Sequence, residues 1–227
     1  MLAAVLATPL AGCGVLPRKS YRFRMTVEVE TPEGLKSGSS VYQVTAGNTP
    51  ALLPDEHKRD WAVKGQAALI DLPDGKLLAV ILRTRNGSRP DLARMSMAAF
   101  DPAFRNDIVE SAGRIISGHD ALTKAEVGPA DYPILLLFED PTKAASAKQV
   151  DPIDPGSSER FPYKLHRIFV ERTDDAVTSG IVRKLTWLPR QHGALLQVPF
   201  SQYPPAGTPL PAAANLTEHD FSQGMVR

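Results

Sequence analysis

Cys13 is the only cysteine among 227 residues. It ends the run Leu10-Ala11-Gly12-Cys13, and no charged residue precedes it. A thiol in that setting is an acceptor for a covalent lipid. Ala11 and Gly12 are small enough to let a peptidase approach the bond before the cysteine. Leu10 suits an apolar subsite. Five histidines form the next candidate set: His57, His119, His166, His192 and His219. None stands at the His-Glu-x-x-His spacing that places two imidazoles on one metal. His119-Asp120 could orient an imidazole, with Ser117 close in sequence, but Ser, Gly and His are also ordinary residues at a helix end. No Gly-x-Ser-x-Gly elbow occurs. Glu139, Asp140, Asp151 and Asp154 form an acidic stretch. It lacks the Asp-x-Asp-x-Asp-Gly spacing of a calcium loop, and Asp-Pro is a common turn opener. Thr173-Asp174-Asp175 with Thr178 is a dense polar run. It is a candidate binding surface, joined by Trp187 as a possible aromatic platform. Side-chain turns account for the same polar residues, and a core position accounts for the tryptophan.

The N-terminal run resembles a bacterial lipoprotein signal ending in a lipobox. A short apolar stretch closed by small residues has the form of a secretory signal. The resemblance implies diacylglycerol and palmitate on Cys13, cleavage before it, and anchoring in the cell envelope with the domain facing the periplasm. The charged opening of such a signal is missing, as expected if the true start lies upstream. Gly14 follows the cysteine where an aspartate would favour the inner membrane, so the outer membrane is expected. Two or more acyl chains hold a protein durably. Once Cys13 is acylated no thiol remains, which excludes disulfides, a thiolate nucleophile and a cysteine-ligated metal.

Charge balance bounds the partners. Lys+Arg total 26 and Asp+Glu total 25, a net +1. No nucleic-acid partner is expected, since that calls for a basic stripe. Arg18, Lys19, Arg22 and Arg24 cluster after the anchor. They suit either the outward face of a strand or contact with lipid headgroups.

The elements that must position these residues read as an α+β domain over residues 21–200. It is expected to be antiparallel and built of hairpins, with a helical insertion at about 90–117. Tyr21, Phe23, Met25, Val27 and Val29 alternate with polar residues, the period of a half-buried strand. Thr31 to Gly34 is a turn, and Val41 to Thr45 returns. Trp61 to Leu72 and Lys76 to Arg83 flank Pro73-Asp74-Gly75, a strong hairpin signal. Pro90 to Phe100 reads as one helix. A second, capped at Asn106, carries Ile108, Val109, Ala112, Ile115 and Ile116 on one face and ends at Gly118. Tyr132 to Phe138 reads as a buried strand, Thr142 to Gln149 as a short helix, Tyr163 to Arg172 as an alternating strand. Ile181 to Leu188 and Leu195 to Phe200 are expected strands. Residues 201–227, rich in proline, read as a tail without periodicity. The hydrophobic fraction of 43% is ordinary for a globular chain.

Residues 132 to 188 resemble a group of uncharacterised proteobacterial proteins, many of them predicted lipoproteins. The residues that carry this are Tyr132 to Phe138, Asp140, Val150-Asp151-Pro152, Thr173 to Ile181 and Leu185-Thr186-Trp187-Leu188. The strand from Tyr21 to Val41 is similar too, and the likeness spans roughly two thirds of the chain. It implies no activity. The expectation is therefore a lipid-anchored envelope protein that binds or scaffolds, with the membrane and an envelope protein as partners. No cofactor, metal or catalytic residue is expected. Two alternatives stand beside it. A periplasmic hydrolase would need His119 or His166 joined to an acid and a nucleophile. A carrier of a small ligand or lipid would need an apolar cavity between the sheet and the helix at Asp107 to Ser117.

Overall fold

The structure, a computed structural model, describes residues 18–48, 59–84, 91–151, 153, 163–191 and 216–224. Cys13 with Leu10, Ala11 and Gly12, and also His57, His192 and the expected strand Leu195 to Phe200, lie outside them. The architecture is α+β. Two antiparallel sheets share one hydrophobic core with two short helices.

Strand β1 (Lys19–Thr31) buries the alternating set Tyr21, Phe23, Met25, Val27 and Val29 and turns its polar set outward. It pairs with β2 (Gly34–Asn48) through the turn at Pro32-Glu33. Strand β3 (Arg59–Gln66) pairs with β2 over Gln43 to Asn48. Sequence continuity suggested a single strand from Trp61 to Leu72. The chain instead changes sheet at Ala67, and β4 (Ala68–Asp71) begins the second sheet. Local alternation runs through that break unmarked, because only the choice of partner changes.

The hairpin at Pro73-Asp74-Gly75 is present. Asp74 has φ 61° and Gly75 φ 70°. Positive φ at both central residues matches the twist of the flanking strands, and glycine accepts it without a Cβ penalty. Strand β5 (Leu77–Thr84) follows, buried on both faces from Leu77 to Leu82. The helices are α1 (Leu92–Phe100) and α2 (Ile108–Ser117). The cap of α2 is Asp107 rather than Asn106: its Oδ1 accepts the Glu110 N–H at 3.0 Å. Asn106 sits at φ 69° and accepts from Arg94. Ile108, Ala112 and Ile115 face the core, and Gly118 ends the helix.

Strand β6 (Lys124–Glu126) is a short edge with no sequence pattern. Strand β7 (Pro133–Phe138) is buried throughout. The expected helix at Thr142 to Gln149 shrinks to a 3-10 turn at Ala144–Ser146. Asp140 closes that turn by accepting from the Thr142 N–H and hydroxyl. The chain is then free to return as β8 (Ala147–Val150) beside β7. Strand β9 (Lys164–Arg172) carries a bulge against β1 at His166, which explains why Leu165 and Ile168 are both buried although three residues apart. Ile181 to Leu188 is not a strand. It forms 3-10 turns at Ile181–Arg183 and Leu188–Arg190. The buried residues there are Ile181, Leu185 and Leu188, a helical spacing rather than a period of two. The tail also returns: Leu216 and Phe221 are fully buried, and β10 (Ser222–Gln223) pairs with β3.

The six-stranded sheet has the order β10-β3-β2-β1-β9-β6, and the four-stranded sheet β4-β5-β7-β8. Phe100 of α1 packs edge-on against Tyr21 and Phe23. The sheets meet where β2 crosses β4. A Cβ on Gly38 there would collide with the Leu69 carbonyl oxygen and the Ile70 side chain, so the crossing depends on glycine. Among the described residues no helix is long and apolar enough to cross a membrane.

Candidate functional site

The polar run after β9 spends its hydrogen bonds on its own chain. The Thr173 N–H donates to the Arg22 carbonyl at 3.2 Å. The Asp175 N–H donates to Thr173 Oγ1. Arg22 donates to the carbonyls of Asp174 and Asp175, and Arg24 pairs with the Asp175 carboxylate. Beyond Gln43 the pairing of β2 with β3 stops. Thr178 takes over there: its N–H donates to the Val41 carbonyl, and its Oγ1 accepts the Val41 N–H at 2.8 Å. The segment is therefore a strap, running from the end of β9 across the charged side chains of β1 to β2. Three of the four basic residues near the tether are engaged: Arg22 and Arg24 with the strap, and Arg18 with Asp60. Trp187 stands apart from the strap. Its ring lies 5.8 Å from both Phe138 and Phe221, and its indole N–H donates to the Pro141 carbonyl. The structure brings Thr173, Asp174, Asp175 and Thr178 together and places Trp187 elsewhere.

The far end of the strap forms one wall of a groove of about 730 Å³. Ile181, Val182, Leu188 and Pro189 supply its apolar side, and Glu218, His219 and Ser222 to Gly224 the other. Gln66 joins the two walls. Its Oε1 accepts the Ile181 N–H at 2.9 Å, and its Nε2 donates to Ser222 Oγ at 3.3 Å. Its own carbonyl accepts from Ser40 Oγ. A nearly buried amide with both ends used holds the walls at a set separation. The second wall is anchored by Phe221, whose carbonyl accepts the Ala67 N–H at 2.8 Å. Thr217 and Asp220 bond reciprocally at its start. Glu218 lines the groove with Oε2 buried and without a hydrogen-bond partner. Its Oε1 lies 3.8 Å from His219 Nε2. The Glu218 side chain is still 18% exposed, so its carboxylate sets a negative charge at the groove wall for an incoming cation. Sequence reading missed this site, because a lone phenylalanine in a proline-rich tail carries no periodic signal.

A smaller pocket of about 200 Å³ opens at the start of α1. Asp91, Arg94, Asn106 and Asp131 line it. Asp91 Oδ1 is buried without a partner, and Oδ2 is 3.5 Å from Arg94 Nε. Burial pushes the Asp91 carboxyl above its ordinary range against the pull of Arg94, and the charge of Asp131 adds to the rise. Burial raises Asp131 as well. Raised carboxyls can hold a proton for acid catalysis, but no described histidine joins this pair.

The three described histidines lie on separate surfaces. His119 and Asp120 are 3.4 Å apart and both more than three-quarters exposed. Ser117 Oγ accepts the His119 N–H and donates to the Arg114 carbonyl, which is helix capping. His166 meets Glu30 at 2.9 Å on the solvent face of the sheet. Neither His119 nor His166 lines either concavity. His219 lines the groove. Ala112 and Ile115 of α2 are fully buried in the core, where a lipid carrier would need open space. Among the described residues no group of three or more His, Cys, Asp or Glu side chains could hold a metal. No family model, curated protein or solved structure matches the chain.

Proposed function

We propose that this is a lipid-anchored protein of the bacterial envelope, outer membrane rather than inner, whose domain faces the periplasm and acts by binding a partner protein. Cys13 carries the reading: the sole thiol of the chain closes an apolar, charge-free run at Leu10-Ala11-Gly12. Four residues then separate it from Arg18, where the described structure begins, so the two are at most about 18 Å apart. The domain would stand close to the bilayer. The groove braced by Gln66 supports binding, because it offers an apolar wall, a carboxylate and a fixed shape together. The test is fractionation of cells producing the full chain. Wild type is expected in the membrane fraction, and Cys13→Ser or globomycin treatment should release it or leave an unprocessed precursor. An unchanged fraction and unchanged mass for Cys13→Ser would overturn the anchor.

A further inference from the structure

We infer that the groove receives an extended segment of a partner protein, laid beside β10, with a lysine or arginine of that segment on Glu218. This rests on the binding reading above. Charge selects the side chain. Among the described residues that line the groove, Glu218 is the only Asp, Glu, Lys or Arg, and its side chain is 18% exposed. A cation brought to it makes a charge-assisted hydrogen bond, about twice as strong as a neutral one. An acidic side chain at the same place would face repulsion from Glu218.

The backbone of the partner is selected by the sheet. β10 is the terminal strand of the six-stranded sheet, and among the described residues no strand pairs with its outer edge. An edge strand is a template for another extended chain, which gains main-chain hydrogen bonds there. The apolar wall completes the fit. Val182 is 43% exposed, and with Ile181, Leu188 and Pro189 it offers a surface for an alternate aliphatic side chain of the segment. Gln66 acts as a positioning residue: one amide ties the strap to β10, so the acidic and apolar walls keep their spacing before the partner arrives.

The experiment is an NMR titration of the full chain with two blocked pentapeptides, Val-Thr-Lys-Val-Thr and Val-Thr-Glu-Val-Thr. The lysine peptide is expected to shift the amides of Ser179 to Val182 and Ser222 to Gly224. It should bind about ten-fold or more tightly than the glutamate peptide. Glu218→Gln should remove most of that preference while leaving the melting temperature in place. Groove shifts with both peptides at equal affinity, or a preference that survives Glu218→Gln, would overturn the cationic segment and leave groove binding standing. Silence of the groove amides with either peptide would overturn both. Shifts that depend on protein concentration without peptide would identify a second copy as the occupant. A response that requires residues 194–213 to be replaced by a short Gly-Ser linker would assign the groove to the chain itself. Either result overturns the proposal.

Discussion

Individual carboxyl groups in this protein pull stability in opposite directions with pH. Asp101, almost fully buried, is pushed up by burial, but bonds from Arg114 and the Ala103 N–H outweigh that and hold it below its ordinary range. A lowered carboxyl contributes stability above its unfolded value near 4, lost as pH falls through the folded value. Asp101→Asn should cost about 1.5–3 kcal/mol at pH 7 through the loss of charged hydrogen bonds. Urea unfolding of both proteins at pH 7 and pH 3 checks it: the gap should narrow in acid. Asp91 has the opposite sign. Its raised carboxyl favours the fold below the unfolded value, and that contribution is lost as pH rises through the folded value. At neutral pH the ionised form opposes folding. The Asp91 side chain makes no capping hydrogen bond at the start of α1, so Asp91→Asn should raise the melting temperature by roughly 1–3 °C at pH 7. A lower melting temperature would mean that the Arg94 pair outweighs the burial.

At the scale of elements, legibility followed locality. The alternation of β1, the Asp74-Gly75 hairpin and the face of α2 all depend on neighbours within a few residues, and each was readable. The change of sheet at Ala67 was not, since no proline or turn dipeptide marks it and the strand is told apart by its pairing partner. β6 and β8 are three- and four-residue edges, too short for a periodic signal. The strap shows the same limit at the site. Its polar residues were visible, but their bonds to Arg22, Arg24 and Val41 span more than 130 residues of sequence. Gln66 is the joint between elements. Gln66→Ala strands the buried Ile181 N–H and should cost about 1–3 kcal/mol. Faster hydrogen exchange at Ile181 and Ser222, in a domain otherwise protected, is the accompanying signature.

Across the whole molecule, residues 216–224 close the core from the end of the chain. Phe221 meets Phe138 and Trp187, so strand β7, the turns after the strap and the last described segment share one aromatic cluster. Truncation of a buried phenylalanine leaves a cavity in addition to the lost burial. Phe221→Ala should lower stability by about 3–5 kcal/mol, measured by denaturant unfolding. A change below about 1 kcal/mol would show that the segment is a surface attachment rather than core. The same segment carries Glu218 and β10, so this variant should also lose the groove, whereas Glu218→Gln should alter binding alone.

The sequence by itself determined what short-range physics controls: the periods of the strands and of α2, the hairpin turn, and the α+β class. The proposed lipid anchor at Cys13 also rests on sequence alone, on the four consecutive residues Leu10 to Cys13. Only the tertiary structure decided which strands share a sheet, that the polar run at Thr173 to Thr178 serves as a strap, and that residues 216–224 pack back to build a groove around Glu218. Those outcomes rest on pairings between residues far apart in the chain. Such pairings are selected by the burial and hydrogen bonding of the whole fold, and they leave no local trace to read.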